Sequence, residues 1–145
     1  MQMKIKLLGD SSLPPRYAQP GDAGADLFAD EDVTIHARGQ RLVRTGIALE
    51  IPEGYFGLIR PRSGLATKYG IGINTSGVVD SGYRGEISVT LINHTDANYM
   101  VNQGDRIAQL LILPVEHVTF NVVSQLSDSV RGEGGYGSTG YQTWA

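Results

Sequence analysis

The chain has 145 residues, 41% apolar and 19% charged, which suits one domain able to bury its own core. A net charge of −3 and a pI near 5.5 exclude a surface made to coat nucleic acid, while leaving room for a small anionic ligand held by a few placed arginines. The lack of cysteine excludes a disulfide framework or thiolate metal site, and with neither a membrane-length apolar run nor a signal-peptide pattern a soluble, cytoplasmic protein is expected (host-cell cytoplasm for a viral one).

In chain order, β-branched and apolar residues predict strands over Lys4 to Leu8, Arg41 to Ile51, Tyr55 to Arg60, Glu86 to Asn93 and Arg106 to Leu113. Turn signals separate them at Ala37-Arg38-Gly39-Gln40, Pro52-Glu53-Gly54 and Asn102-Gln103-Gly104-Asp105. After Glu86, Ile87, Val89 and Leu91 fall on one face of a strand and Ser88 and Thr90 on the other. One brief helix is expected, with Ser63 as its cap, Leu65, Ala66 and Tyr69 on one side and Gly70 at its end. Short strands at this spacing predict an all-β sandwich or barrel. Glycine, at 19 residues, is about twice its usual share, as expected for many turns or for backbone lying close to a ligand.

Three segments carry chemistry. Gly77-Val78-Val79-Asp80-Ser81-Gly82-Tyr83-Arg84-Gly85-Glu86 predicts a hairpin turning at Ser81-Gly82, with a carboxylate and a phenol near its tip. Asp80 is there either a solvated turn acid or a base facing a pocket. Glu86 reads ambiguously, pairing with Arg84 at the strand start being one reading. Arg60-Pro61-Arg62-Ser63-Gly64 sets two guanidinium groups, a hydroxyl and a glycine ahead of the free N–H groups of a helix, which suits an anion as well as it suits a plain capped helix. In the tail, Gly132, Gly134 and Gly137 spell G-x-G-x-x-G, yet the chain ends at Ala145 with no helix or ribose-binding acid to follow, so a dinucleotide fold is rejected. Arg131 to Gly140 suits either an arm that folds over a phosphorylated ligand, with Tyr136 stacked on a ring, or a disordered tail.

Together these segments resemble the trimeric all-β dUTPase family, whose members carry five short motifs in fixed order. The matches are Ala23-Gly24-Ala25-Asp26-Leu27, Pro61-Arg62-Ser63-Gly64-Leu65-Ala66, Gly77 to Glu86, Gly104-Asp105-Arg106-Ile107-Ala108-Gln109-Leu110, and Arg131 to Gly140. Departures are small: Tyr136 stands where Phe is common, and Tyr141 to Ala145 follow the last motif. The resemblance implies a distorted jelly-roll or barrel-like β sandwich, a core over 1–130, and a flexible Gly-rich arm over 131–145 that closes on the site.

It further implies hydrolysis of dUTP to dUMP and pyrophosphate with Mg²⁺, which keeps uracil out of DNA and supplies dUMP for dTMP synthesis. In that scheme Asp80 is the general base, and Asp26 either orders metal-bound waters or stabilises a turn. Mg²⁺ rides on the phosphates without direct protein ligands. Arg62, Ser63, Gly64 and Gln109 clamp the phosphates together with Arg131, Gly137, Ser138 and Thr139 of the arm, and Tyr136 stacks. Asn74, Gly77 and Val79 read uracil, and Tyr83 packs beneath the deoxyribose. Arg106 suits the phosphate clamp and a local ion pair with Asp105 equally well, and is left out of the site. A homotrimer with shared sites is implied, without membrane or nucleic-acid partners. The related dCTP deaminases carry a catalytic Glu in the following strand; Thr90 stands at that place here.

Overall fold

Antiparallel strands dominate the computed structural model, which describes residues 1–74 and 77–140. Thr75, Ser76 and the last stretch, Tyr141 to Ala145, lie outside the described residues. The strands are β1 (Lys4–Leu7), β2 (Ala25–Phe28), β3 (Val33–Ile35), β4 (Gln40–Glu50), β5 (Tyr55–Arg60), β6 (Ile71–Ile73), β7 (Val78–Val79), β8 (Glu86–Asn93), β9 (Tyr99–Val101) and β10 (Arg106–Pro114), with the helix α1 (Ser63–Tyr69) between β5 and β6. Two four-stranded sheets, ordered β1-β4-β8-β6 and β2-β10-β5-β7, face each other, and β3 and β9 form a separate pair. The all-β expectation holds, and the chain has the two-layered build of a jelly roll.

Alternation builds the core. In β8, Ile87, Val89, Leu91 and Asn93 point inward and their neighbours stay half-buried. They meet Val43 and Ile47 of β4, Ile35 of β3 and Leu110 of β10, all essentially inaccessible to water. Burying a side chain of this size contributes about 1.5–3 kcal/mol. Asn93 ends the row as a polar residue with full pairing: its amide donates to the carbonyls of Ile35 (3.1 Å) and Ala97 (2.7 Å), and its oxygen accepts from the Thr95 N–H and hydroxyl. Such a group costs little buried, because every polar atom has its partner.

The three turns read from the sequence close at Gly39, Tyr55 and Asp105, whose N–H groups donate to the carbonyls of His36, Pro52 and Asn102. Two expectations are corrected here. Ser63 does not cap α1: Arg62 is the N-cap, in extended conformation and without a side-chain cap, and Ser63 is already helical. Nor does α1 bury a face, since Leu65 alone packs against the core, with Ala66 and Tyr69 exposed. A helix of one or two turns has too few residues for a buried stripe. Tyr69 instead leans on Tyr99, ring centres 5.5 Å apart, and Gly70 ends the helix as expected.

The third correction concerns the expected hairpin at Ser81-Gly82. β7 pairs with β5 and β8 pairs with β4 and β6, so the segment between them crosses from one sheet to the other. The Tyr83 N–H closes a turn onto the Asp80 carbonyl at 3.1 Å. The glycine with positive φ is Gly77 (63°), not Gly82. The Gly77 carbonyl accepts from the Ile59 N–H, and a Cβ on Gly77 would meet the Ile59 carbonyl oxygen at 2.5 Å. Gly77→Ala is therefore expected to lower stability by about 3 kcal/mol from backbone strain and overpacking, read as a fall in thermal midpoint.

Candidate active site

Strand register assembles the first group of site residues. β10 lies between β2 and β5, and Gln109 pairs with Asp26 on one side and with Arg60 on the other. The chain then leaves β5 through Pro61 and Arg62 into α1. Gln109 fixes this exit by donating its amide to the Pro61 carbonyl at 2.9 Å. Its side chain crosses directly over Gly24, where a Cβ would sit 2.5 Å from the Gln109 amide oxygen, so a larger residue there would push this side chain aside.

Asp26 anchors the group. It is buried, and its two carboxylate oxygens face two cations: Arg62 Nε at 2.9 Å and an Arg106 guanidinium nitrogen at 3.5 Å. Arg62 also donates to the Arg106 carbonyl at 3.4 Å. Arg62 and Arg106 keep 31% and 52% of their side chains exposed, so solvent screens both pairs and neither reaches the strength of a fully buried one. Arg62, Ser63, Gly64, Gln109, Gly24 and Asp26 line a cavity of about 260 Å³. The first N–H groups of α1 have no partner within the helix and lie at its wall. Guanidinium, hydroxyl and free N–H donors converging on one cavity suit the oxygens of a phosphate chain.

A second cavity, of about 460 Å³, lies under the crossover. Gly77, Val79, Asp80, Tyr83 and Glu86 line it, with Leu42 and Ser88. Asp80 presents an exposed carboxylate, and the Tyr83 hydroxyl donates to the Glu86 carbonyl at 3.1 Å. The Glu86 side chain accepts from the Gly46 N–H at 2.9 Å rather than pairing with Arg84, which bonds to the turn itself. The irregular register of β4 opposite Glu86 frees that N–H and so redirects the carboxylate.

The two cavities have no lining residue in common. β2 and β7 occupy opposite edges of one sheet with β10 and β5 between them, a gap of three strand spacings or roughly 14 Å. Asn74 stands outside both, its amide donating to the Gln40 side chain and its N–H to the Thr90 carbonyl. Arg131, Tyr136, Gly137, Ser138 and Thr139 also stand outside both. Past Val115, whose N–H still bonds to the Gly54 carbonyl, nearly every described residue is exposed. Within this stretch Arg131 folds back on its own turn, donating to the Gly134 carbonyl at 2.9 Å. Val118, Phe120, Val122 and Leu126 expose their side chains.

Arg106, left out of the site on sequence grounds, contacts Asp26, which lines the first cavity. Asp105, its partner in the ion-pair reading, instead accepts from the Asn102 N–H, and Arg106 turns to Asp26. Residues three apart in a regular strand face opposite sides, which would part Arg106 from Gln109. The register shift between Arg106 and Ala108 breaks that alternation.

A double-layered β fold carrying an arginine-walled cavity and a separate one with an acid and an aromatic ring defines a small all-β protein suited to a ring-bearing, anionic ligand such as a nucleotide. Sequence comparison narrows the class: the profile of the dUTPase family matches residues 11–140. The deoxyuridine 5'-triphosphate nucleotidohydrolase of Clostridium tetani is 50% identical over 139 residues, covering 95% of this chain and 96% of that protein. That of Thermobifida fusca is 54% identical over 143 residues, covering 97% and 79%. Among solved structures, a mutant dUTPase of Staphylococcus bacteriophage 80alpha with dUpNHpp superposes with a TM-score of 0.91 at 29% identity, over 97% of this chain and 99% of that one. A mutant dUTPase of S. aureus phage phi11, described with a structural Mg(II) ion, superposes at 0.82 and 26% identity, over 88% and 100%. The chain belongs to the dUTPase family.

Proposed function

We propose that this chain hydrolyses dUTP to dUMP and pyrophosphate in sites completed between the copies of a homotrimer. The observation that carries this reading is the separation of the two cavities, one equipped for phosphate and the other holding a carboxylate and a ring. A neighbour that brings its Asp80 cavity up to the Arg62 cavity makes one site from two halves. The exposed apolar side chains of Val118, Phe120 and Val122, at alternate positions, support an arm that lies on another copy.

In such a site the triphosphate lies against Arg62, Ser63, Gly64 and Gln109. Asp80 orients a water and takes its proton as the oxygen attacks the α-phosphorus, and the pyrophosphate leaves toward the arginines. Gly77 and Val79 line the wall against uracil. The ring of Tyr83 lies beneath the sugar, where an added 2′-hydroxyl is crowded out. For its side-chain amide N–H groups to serve the base, Asn74 would have to turn from Gln40. Arg131, Ser138 and Thr139 of the arm close on the phosphates and Tyr136 covers the ring, which excludes water from all but the attacking position.

Among the described residues no three His, Cys, Asp or Glu side chains gather as a metal-binding group, and the oxygens of Asp26 each face an arginine. That donor set fits an Mg²⁺ carried on the phosphates, with Asp26 acting at most on the waters of the ion. The ion would supply neutralisation of the phosphate charge. Clearing dUTP would limit uracil in DNA and furnish dUMP for dTMP synthesis.

The test is pyrophosphate release from dUTP, dTTP, dCTP and UTP, with Mg²⁺ and with chelator. Fast turnover confined to dUTP and lost in chelator is the expected result. Equal turnover of several nucleotides would refute the roles given to Gly77, Val79 and Tyr83.

A further inference from the structure

We infer that Arg84 is a positioning residue that holds the Asp80–Tyr83 turn, and through it sets both the place of the Asp80 carboxylate and the lie of the Tyr83 ring. This rests on the reading of Asp80 and Tyr83 proposed above. Among the described residues, few other contacts hold the turn. β7, which delivers it, is two residues long and pairs with β5 only through Val78 and Val79. The turn then passes to the other sheet, where β8 begins at Glu86. One backbone hydrogen bond, Tyr83 N–H to the Asp80 carbonyl at 3.1 Å, closes it.

Arg84 completes the closure from outside. A single guanidinium nitrogen donates to the Ser81 carbonyl at 2.6 Å and to the Tyr83 carbonyl at 2.9 Å. One nitrogen reaches both carbonyls only while the turn is folded, so the contact acts as a latch on its shape. Both bonds are charge-assisted and stronger than neutral ones. Asp80 precedes the first latched carbonyl by one residue, and Tyr83 carries the second. At its far end Tyr83 is tied by its hydroxyl to the Glu86 carbonyl, so backbone and ring of this residue are held separately. Arg84 thus lies outside the lining of the Asp80 cavity and acts through two residues that belong to it.

Two consequences separate this role from plain support of the fold. Loosening the turn misplaces the base, which lowers kcat more than it raises KM. It also lets the ring tilt, which relaxes discrimination against a 2′-hydroxyl. Loss of folded protein alone would scale down dUTP and UTP turnover together.

The experiment compares the full-length chain with Arg84→Ala, Arg84→Lys and Asp80→Asn, measuring kcat and KM for dUTP and UTP per folded protein. Arg84→Ala is expected to lose about 10²-fold in kcat, as a misplacement near 1 Å does, and to lower the dUTP over UTP preference about tenfold. Arg84→Lys recovers part of each, since an ammonium lacks the fixed fork of guanidinium. Added guanidinium ion restores part of the Arg84→Ala rate. Unchanged kcat and preference in Arg84→Ala, with Asp80→Asn inactive, would overturn the inference and leave the site reading standing. A proportional loss on both nucleotides, without rescue, would also overturn it. Full turnover in Asp80→Asn would overturn the site reading, and this inference with it.

Discussion

Asp80→Asn is expected to lower dUTP turnover by about 10³-fold, within the range contributed by a positioned general base, while leaving the fold and its thermal midpoint unchanged. Asp80 is exposed on the wall of the larger cavity, so exchanging its carboxylate for an amide strips no buried partner and opens no void. The amide keeps the size of the side chain and one acceptor oxygen, so a water can still be held near the α-phosphorus. What is lost is the proton acceptor. KM for dUTP should accordingly stay within a few-fold of the parent, since the phosphate donors around Arg62 and the ring of Tyr83 are intact. Steady-state pyrophosphate release together with equilibrium binding of dUTP checks both halves of this expectation. Retained turnover would remove Asp80 from the mechanism, and lost binding would make it a ligand-holding residue instead.

Removing residues 131–145 is expected to leave a folded core whose turnover is about 10³-fold lower, the lower end of what a mobile arginine contributes to phosphoryl chemistry. None of Arg131 to Gly140 belongs to the hydrophobic core, and the hydrogen bonds of this stretch stay local, as from Arg131 to the Gly134 carbonyl and from Ser138 N–H to the Gly135 carbonyl. The deletion therefore removes no core contact of the described residues. It keeps Val118, Phe120 and Val122, so any assembly through those side chains survives. The loss falls on Arg131, Ser138, Thr139 and Tyr136. Rate measurements on the shortened chain, alongside its sedimentation behaviour, decide the matter: near-full activity would sink the idea that the arm closes the site, and dissociation would assign the arm to assembly.

Legibility from sequence followed the length of each element. β8 was readable from the alternation of Ile87, Val89 and Leu91, and β4, β5 and β10 from runs of six or more residues rich in β-branched and apolar types. Of the strands with two to four residues, β1 alone was read, from the apolar Ile5, Leu7 and Leu8, while β2, β3, β6, β7 and β9 are too short to show a period. The hairpin expected at Ser81-Gly82 failed for a related reason. A Ser-Gly pair between two strand-like segments signals a reversal, but the partner of each strand is chosen by tertiary packing, and β7 found β5. In the phosphate cavity, Arg62, Ser63 and Gly64 were legible as donors ahead of a helix. The buried Asp26 between two arginines was not, because it depends on the register of β2 against β10 and on one shifted residue in that register. The two-cavity layout was not readable from local pattern at all, since strand order belongs to the whole sheet.

That layout has a genetic consequence. When each site joins the Arg62 cavity of one copy to the Asp80 cavity of another, a gene product defective in one cavity remains whole in the other. Two inactive alleles, one lacking Asp80 and one lacking Arg62, would then complement each other in mixed assemblies, because some neighbours meet through their two intact halves. The same arithmetic runs in reverse for a subunit that assembles with both cavities damaged. It spoils the sites on each side of it, so activity falls faster than the dose of the sound gene.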